Sequence, residues 1–332
     1  MPKKDKILIL GAGGQIGTEL CLSLRKKMGD DNVVASDIKA LTGENFEAGP
    51  VEQIDIMDAE KLAEVIKRHD ITQIYHLAAI LSAVGEKNPR LAWEINMNGL
   101  LNVLEVATDL NIKKMFWPSS IAVFGKRTPI SQSSQYTVTD PHTIYGISKL
   151  AGERWCHYYY HKKGLDIRSL RYPGLISYKG APGGGTTDWA VEIFHEALKN
   201  KRYTCFLEAD SCLPYMHMED AIKGTLDLMN APVDRLSVHS SYNISSMSFT
   251  PEDLTQEIQK YIPEFEISYE PDYRREIARN WPASIDDTYA KTDWNWHWKW
   301  DISATTINML EELSKQLNIK KPELLRQGGV DA

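Results

Sequence analysis

Short apolar runs alternate with longer segments of helical periodicity through the first half of the chain. The runs predict buried strands at residues 6–10, 33–36, 71–79 with the following loop, 114–118 and 165–172. The segments between them predict helices at residues 18–25, 59–69, 89–110 and 145–163. Strands that alternate with helices favour right-handed crossovers, so we expect an α/β protein with a doubly wound parallel sheet.

The pattern changes after about residue 175. Residues 182–187 read Pro-Gly-Gly-Gly-Thr-Thr, which predicts a loop with unusual backbone freedom. A helix is predicted at residues 188–200. The alternating tryptophans between residues 294 and 300 are expected to pack the core of a smaller, C-terminal domain.

Three glycines lie at the predicted turn from the first strand into the first helix. Gly11, Gly14 and Gly17 follow the first apolar run and precede a segment with helical periodicity. At such a turn the pyrophosphate of a dinucleotide can approach bare backbone and meet the positive end of a helix. A glycine pattern alone is weak, but in this context it predicts a dinucleotide-binding site.

Asp37 ends the second predicted strand, 20 residues after Gly17. A carboxylate there accepts hydrogen bonds from a ribose 2′-hydroxyl and repels a 2′-phosphate, so it predicts NAD rather than NADP. The alternative is an ordinary turn residue after a strand. The glycines before Asp37 favour the cofactor role.

Tyr145 and Lys149 lie four residues apart on one predicted helix, and Ser120 lies 25 residues before Tyr145 at the end of a predicted strand. Residues four apart share a helix face, so the ammonium is expected to lower the pKa of Tyr145 toward neutral pH. A serine hydroxyl can hold the substrate oxygen while the tyrosine takes its proton. With a hydride acceptor beside them, these residues predict oxidation of an alcohol or reduction of a ketone.

Composition argues against several classes of function. The chain has 332 residues, of which 42% are hydrophobic, and a net charge of −7, which disfavours nucleic acid or an anionic membrane as partner. No apolar run approaches the ~18 residues of a transmembrane helix. The first residues lead straight into a strand and leave no room for a signal peptide. We therefore expect a cytoplasmic protein, or a mitochondrial matrix protein if a presequence has been removed.

Metal sites and disulfides are not expected. The four cysteines show no paired metal spacing and fit a reducing compartment. His157 and His161 are four apart on a predicted helix, which could suit a metal, but no third ligand is evident in the sequence. A packed or solvated helix face is the favoured interpretation of this pair.

The motifs together resemble the extended short-chain dehydrogenase/reductase superfamily, through the three glycines, Ser120, Tyr145 and Lys149. Several segments are similar to the short-chain type of L-threonine 3-dehydrogenases; they are residues 10–20, 116–125, 172–177, 182–188 and 281–287. The triple glycine followed by Thr-Thr-Asp is the most discriminating of them. That family often carries threonine where this chain has Ser120, and both supply a hydroxyl.

The resemblance implies a Rossmann-type fold with a smaller C-terminal substrate domain. Residues 1–175 are then the NAD-binding domain, with later segments such as 240–246 returning to it, and residues 176–332 are mainly the substrate-binding or lid domain. The implied activity is NAD-dependent oxidation of L-threonine at its 3-hydroxyl to 2-amino-3-oxobutanoate. Superfamily members with this layout commonly form homodimers through two helices per subunit, here residues 89–110 and 145–163.

Carried over by position, the resemblance implies three sets of residues. The expected catalytic residues are Tyr145 as the base, with Ser120 and Lys149. The expected substrate-binding residues are Ser82, Ser120, Tyr145, Gly184, Gly185, Thr186 and Trp281. The expected cofactor-binding residues are Gly11, Gly14, Gln15, Ile16, Gly17, Asp37, Asp55, Ile56, Leu77, Ala78, Ala79, Asn96, Tyr145, Lys149, Tyr172, Pro173, Gly174 and Ile176.

Two alternatives remain open from the sequence. An NAD-dependent sugar-nucleotide epimerase or dehydratase shares the superfamily motifs, but it needs a larger cleft and basic residues for a diphosphate. A non-catalytic NAD-sensing scaffold has no need of the Ser120, Tyr145 and Lys149 set. Reduction of NAD with a panel of L-threonine, L-serine and UDP-sugars discriminates between the three.

Overall fold

The structure is a computed structural model that describes residues 4–180, 185–323 and 325. Its strands are β1 (Ile7–Leu10), β2 (Val33–Asp37), β3 (Val51–Gln53), β4 (Gln73–His76), β5 (Lys114–Phe116), β6 (Ser119–Ser120), β7 (Asp166–Arg168), β8 (Leu170–Tyr172), β9 (Gly174–Ile176), β10 (Arg202–Cys205), β11 (Leu213–His217), β12 (Tyr242–Asn243), β13 (Met247–Phe249) and β14 (Glu266–Tyr269). Its helices are α1 (Gln15–Met28), α2 (Glu44–Glu47), α3 (Ala59–Arg68), α4 (Ser82–Gly85), α5 (Pro89–Trp93), α6 (Gly99–Asp109), α7 (Ile144–Lys163), α8 (Trp189–Lys199), α9 (Met218–Asn230), α10 (Pro251–Gln259), α11 (Arg274–Ala278), α12 (Thr288–Trp294) and α13 (Ile302–Gln316).

A parallel sheet organises the first half of the chain. Within the described ranges six strands pair in the order β3-β2-β1-β4-β5-β7, and every pairing is parallel. The chain moves outward in one direction from β1 to β3 and then in the other from β4. The carboxyl ends of β1 and β4 therefore flank the point where the strand order reverses, which is where ligands bind in open α/β sheets.

Side chains of β1 alternate between two cores, as expected of a strand covered on both faces. Ile7 and Ile9 pack with Leu20 of α1 on one face. Leu8 and Leu10 pack with residues of α3 and α6 on the other. All four β1 side chains are at most 1% exposed. The prediction of a doubly wound α/β fold is confirmed.

The predicted helix at residues 89–110 is not one regular helix. The helix α5 ends at Trp93, a π-helical turn spans Glu94–Asn98, and α6 begins at Gly99. Asn96, inside this turn, accepts a hydrogen bond from the Ile80 N–H at 2.8 Å and donates to the Ile80 carbonyl at 3.0 Å. The wider turn thus places the Asn96 amide against the loop that follows β4.

A separate core forms between α8, β11 and β13. Tyr215 and Phe249 stack there with ring centroids 4.2 Å apart, and Trp189 meets Tyr215 edge-on at 5.7 Å. These elements lie beyond β9, whose Gly174–Ile176 pairs in parallel with β11. The sheet of β9, β11 and β13 therefore connects the half of the chain that holds the parallel sheet with the elements that follow it.

Trp294 and Trp296 correct an expectation. They pack with the core of β1 and α1, not with the core around Trp189. The reason is local: α12 contacts β12, and Tyr242 of β12 pairs in parallel with β8 beside the central sheet. The Trp294 ring meets the Tyr242 ring edge-on at 6.0 Å.

Candidate active site

The glycine turn between β1 and α1 brings backbone to the surface of a cleft. Gly11 has a φ of +86°, and a Cβ there would lie 2.7 Å from the Ala78 nitrogen. A Cβ on Gly17 would lie 2.3 Å from the Gly11 carbonyl oxygen. At Gly14, which precedes the 14-residue helix α1, a Cβ would meet no described atom closer than 3.5 Å. Gly14 therefore leaves open space at the positive end of the helix.

Asp37 lies at the carboxyl end of β2 beside this turn. Its Oδ2 accepts a hydrogen bond from the Gly13 N–H at 3.1 Å, and its Oδ1 accepts one from the Lys39 N–H at 3.2 Å. Each carboxylate oxygen can accept a further bond. Asp37 lines a cavity of about 460 Å³ together with the apolar side chains of Ile38 and Ile56.

The first turn of α7 packs directly on the segment that carries Ser120. Thr143 caps the helix by accepting a hydrogen bond from the Gly146 N–H at 3.0 Å. A Cβ on Gly146 would lie 2.1 Å from the Ala122 carbonyl oxygen, so only glycine permits this contact. Tyr145 is thereby held within hydrogen-bond reach of Ser120.

Glu153 fixes the middle of α7 to the strands below it. Its carboxylate accepts a hydrogen bond from the Ser119 hydroxyl at 2.7 Å and two from the Arg171 guanidinium at 2.8 Å each. The Glu153 side chain is fully buried. Charge-assisted bonds of this kind are short and directional, so they set the orientation of the helix on β6 and β8.

Protonation of Tyr145 and Lys149 differs from the expectation. Burial raises the pKa of Tyr145 to about 12, and the hydrogen bond with Ser120 only partly offsets this. Burial lowers the pKa of Lys149 to about 7. The Lys149 ammonium donates to the Pro118 carbonyl at 2.6 Å and lies 5.5 Å from the centre of the Tyr145 ring. The prediction that Lys149 brings the pKa of Tyr145 toward neutral pH in the protein alone is wrong, because desolvation dominates both groups.

Two adjoining cavities take in most of the predicted site residues. The cavity at Tyr145 holds about 150 Å³, and Leu77 and Ala79 line both it and the larger cavity at Asp37, so the two form one cleft. The predicted residues around the smaller cavity are Gln15, Ile16, Leu77, Ala79, Ser82, Ser120, Tyr145, Lys149, Tyr172, Pro173, Gly174, Gly185, Thr186 and Trp281. Those around the larger one are Gly11, Gly14, Asp37, Asp55, Ile56, Leu77, Ala78 and Ala79.

Polar groups gather at the end of the smaller cavity. Thr186 is 1% exposed, and its hydroxyl has no hydrogen-bond partner among the described residues. The Gly185 N–H donates to Asp188 Oδ2 at 2.8 Å, which shapes the turn that presents Thr186. Ser82 and Trp281 are buried in the same wall. An unsatisfied buried hydroxyl is costly, so the Thr186 hydroxyl is available to a polar group in this cavity.

Three of the predicted residues that the structure describes line neither cavity. Gly17 lies in the first turn of α1, which begins at Gln15 and not at residue 18 as predicted, and packs on the backbone of Gly11 and Ala12. Asn96 is bonded to the Ile80 backbone, and Ile176 is fully buried in the core around Trp189. Their direct contact with a ligand stays a prediction. Gly184 lies outside the described residues.

Pro118 and Asp188 belong to the site but were not predicted. The backbone carbonyl of Pro118 accepts a hydrogen bond from Lys149, and a pattern of side chains in the sequence cannot predict a backbone contact of this kind. Asp188 had a usable signal, because an aspartate three residues after Gly185 can close a turn by accepting that residue's N–H.

The residues along the cleft fit a nicotinamide dinucleotide. Open space at Gly14 meets a helix N-terminus, Asp37 offers carboxylate oxygens, and the cleft leads on to Tyr145 and Lys149. A cavity of about 460 Å³ is within the usual range for cofactor sites. In the described part of the chain no helix is long and apolar enough to cross a membrane, and no group of His, Cys, Asp and Glu could hold a metal.

The chain matches known proteins over nearly all of this structure. Residues 7–245 match the NAD dependent epimerase/dehydratase family. The mitochondrial L-threonine 3-dehydrogenase of Bos taurus is 45% identical over 308 residues, which cover 92% of this chain and 82% of the bovine protein. The holo form of a GalE-like L-threonine dehydrogenase from Cupriavidus necator superposes with a TM-score of 0.91 at 52% identity, covering 93% of this chain and 99% of that one.

A monomeric L-threonine 3-dehydrogenase from a metagenome, in its apo form, superposes with a TM-score of 0.90 at 48% identity and covers 93% of this chain and 99% of its own. The family match spans the glycine turn, Asp37 and the set of Ser120, Tyr145 and Lys149. The chain belongs to the NAD dependent epimerase/dehydratase family.

Proposed function

We propose that this protein is an NAD-dependent L-threonine 3-dehydrogenase, which oxidises the 3-hydroxyl of L-threonine to give 2-amino-3-oxobutanoate. One observation carries the proposal: Ser120, Tyr145 and Lys149 face a small cavity that also holds the buried Thr186 hydroxyl and opens into a dinucleotide-sized cleft. Relatives named as L-threonine dehydrogenases at 45–52% identity over most of the chain support the same substrate.

Tyr145 is the proposed base. Its phenolate takes the proton of the 3-hydroxyl, while Ser120 donates a hydrogen bond to the same oxygen and holds it in line. Because burial raises the pKa of Tyr145, the phenolate needs added positive charge in the cleft. NAD, when bound, supplies the acceptor for the hydride of carbon 3 and a positive charge in the cleft. Lys149, which donates to the Pro118 carbonyl, is the proposed partner of the nicotinamide ribose.

The charged end of the amino acid is assigned to the turn at Gly185 and Thr186. The Thr186 hydroxyl, which has no hydrogen-bond partner among the described residues, is a donor suited to a carboxylate. Ser82 supplies a second hydroxyl to the same cavity, and Trp281 is the proposed cover. Gly184 stays a predicted contact of the same carboxylate.

The volume of the cavity and an assay with different substrates distinguish threonine from the alternatives. A cavity of about 150 Å³ favours a small amino acid over a sugar nucleotide, which needs room and cations for its diphosphate. With NAD, the absorbance of the reduced cofactor should grow with L-threonine, weakly or not at all with L-serine, and not with UDP-glucose. An epimerase or dehydratase returns the hydride to the sugar in each turnover, so conversion of UDP-glucose without growth of this absorbance would point to that alternative. The absence of both NAD reduction and conversion of UDP-glucose would favour the non-catalytic one.

NAD is the proposed cofactor in preference to NADP, because Asp37 presents its carboxylate to the cleft. A hydrogen bond to a charged group contributes about 1.5–3 kcal/mol, so Asp37→Ala should raise KM for NAD by about ten- to a hundredfold. NADP should be used no worse, because the repulsion has gone. Steady-state kinetics with both cofactors measure the change, with Asp31→Ala on the exposed turn before β2 as the control. Equal use of NAD and NADP by the unmodified protein would contradict this role.

The protein is proposed to form a homodimer through α5–α6 and α7. These helices expose more aromatic surface than a solvated face requires: Trp93, Trp155 and Tyr158 are 40%, 39% and 47% exposed. Sedimentation velocity at micromolar concentration should give a dimer, and Tyr158→Glu should shift it toward monomer. The metagenomic relative is named as monomeric, so a monomer is a real alternative outcome and would defeat the proposal.

Residues 1–175, joined by 240–246, are proposed as the cofactor half, and residues 176–332 mainly as the substrate half. The pairing of Tyr242 with Leu170 supports the return of the 240–246 segment. Residues of α9 and Trp294 pack in the core of β1 and α1, although both lie after residue 175. The substrate half therefore contributes segments to the core of the cofactor half.

A reducing compartment, cytoplasmic or mitochondrial, stays the prediction for location. All four cysteines are free, which agrees with it. Fractionation of the source cells with an antibody to the protein is the direct check.

A further inference from the structure

A third cavity lies on another face of α7, between the helix and two loops, at residues 135–139 and 237–240. It holds about 520 Å³, and its described lining residues are not those of the two cavities of the active-site cleft. Its residues on α7 repeat at helical spacing: Leu150, Arg154, His157 and His161. The same helix carries Tyr145 and Lys149 at its N-terminal end.

Three imidazoles meet at this cavity. The rings of His157 and His161 lie 4.3 Å apart, and that of His239 lies 5.7 Å from His161. Tyr160 stacks on His239 with centroids 4.0 Å apart and an angle of 12° between the planes. His239 is thus held in place by its neighbour, while His157 and His161 are exposed at the rim.

Positive charge exceeds negative charge in the lining. Arg171 is buried in the floor and Arg154 is exposed at the rim. Both guanidiniums form ion pairs with one carboxylate, that of Glu153. Its Oε2 lies 2.8 Å from Arg171 Nη2 and 3.7 Å from Arg154 Nη2. Of these three groups, one positive charge is left over even when all the imidazoles are neutral. The Asp293 carboxylate, which accepts hydrogen bonds from the N–H and hydroxyl of the lining residue Ser237, offsets part of it from behind the cavity. Among the described residues, none of those lining the cavity is an aspartate or glutamate, although the whole chain is acidic.

We propose that this cavity binds a small dianion of the phosphomonoester type. A guanidinium, imidazole N–H groups and the hydroxyls of Thr137, Thr139 and Ser240 converge on one space, and a phosphoryl group has three strong acceptor oxygens to meet them. The volume exceeds what a lone phosphate fills and suits a small organic phosphate. The proposal is independent of the reaction at Tyr145.

A metal ion is a poorer occupant, although clustered histidines often bind one. Two guanidiniums in the lining repel a cation. In the described part of the chain the three histidines do not form a group that could hold a metal. The pair His157 and His161, predicted to lie on a packed or solvated face, is better explained as part of an anion cradle.

Binding should tighten as the pH falls. Burial, with the neighbouring His161 and Arg154, lowers the pKa of His157. Burial, with His161 and His157, lowers the pKa of His239, against the opposing pull of Asp166 and Asp293. Both imidazoles are therefore mostly neutral at pH 7. A bound dianion favours their protonated forms, so binding takes up protons and is strengthened at pH 6 relative to pH 8.

The probe is inorganic phosphate, followed by phosphorus NMR on the full chain saturated with NAD, so that the pyrophosphate site at α1 is already filled. We expect saturable binding that NAD does not displace. Sulfate should compete for it. Because sulfate keeps its charge between pH 6 and pH 8, its tighter binding at pH 6 isolates the contribution of the histidines.

Arg154→Gln and His157→Gln remove exposed cavity side chains without disturbing the core, and each should weaken phosphate at least tenfold. Arg202→Gln and His297→Gln, exposed elsewhere on the surface, should leave it unchanged. No binding of phosphate to the NAD-saturated protein, or equal phosphate affinity in the cavity variants and the controls, would overturn the proposal. Sulfate affinity that does not change between pH 6 and pH 8 would overturn the role of the histidines.

Discussion

Tyr145→Phe should reduce kcat for threonine oxidation by about 10²–10⁴, because it removes the proton acceptor and keeps the ring. The Tyr145 phenolate is the proposed proton acceptor, and the ring of Tyr145 packs against the core that includes Ile121, the residue after Ser120. Phenylalanine preserves that packing, so the fold and the cofactor cleft should be intact. The measurements are kcat with L-threonine and the dissociation constant for NAD from quenching of tryptophan fluorescence, which should stay within about twofold.

The pH dependence gives the same prediction a second readout. Burial raises the pKa of Tyr145, so its reactive, deprotonated form is scarce at neutral pH and grows as the pH rises. The kcat of the unmodified protein should therefore increase with pH, and the residual activity of Tyr145→Phe should not follow that increase. Tyr158→Phe, on an exposed part of the same helix, is the control and should behave as the unmodified protein. Comparable turnover in Tyr145→Phe would remove this residue from the role of base.

The sequence predicts those parts of the fold and site where the local residues allow only one structure. The close strand-to-helix connection at Gly11 and Gly17 is predicted correctly, because a Cβ there would lie 2.7 Å and 2.3 Å from backbone atoms and only glycine fits. Their contact with a cofactor stays a prediction. The strands β1 and β2 are read correctly because unbroken apolar runs suit strands buried on both faces. Local pattern and tertiary contact coincide in these segments.

The features that the sequence did not predict depend on contacts between residues far apart in the chain, or on contacts made by backbone atoms. The π turn at Glu94–Asn98 forms where Asn96 bonds the Ile80 backbone, and helical periodicity cannot reveal a bond to a loop. The pKa of Lys149 depends on its burial and on the Pro118 carbonyl, neither of which the four-residue spacing from Tyr145 encodes. Similarly, His239 joins His161 only through the tertiary fold. The sequence thus predicted most of the residues that line the cleft, whereas the burial and backbone contacts that set their pKa values needed the structure.

Gly17→Ala and Gly14→Ala should separate the two uses of glycine in the cofactor turn. A Cβ on Gly17 would meet the Gly11 oxygen at 2.3 Å and the Ala12 Cα at 2.7 Å, and neither backbone atom can swing aside. We expect Gly17→Ala to lower the free energy of unfolding by about 1–3 kcal/mol and to weaken the binding of NAD at least tenfold.

A Cβ on Gly14 would have only an ordinary contact at 3.5 Å, and the φ of −77° at Gly14 suits alanine. Gly14→Ala should therefore unfold like the unmodified protein but bind NAD more weakly, because the new methyl group occupies the space left for the pyrophosphate. Thermal unfolding without ligand and fluorescence titration with NAD measure the two effects separately. Normal NAD affinity in Gly14→Ala would show that the pyrophosphate does not lie at this turn, and normal stability in Gly17→Ala would show that the turn can open without cost.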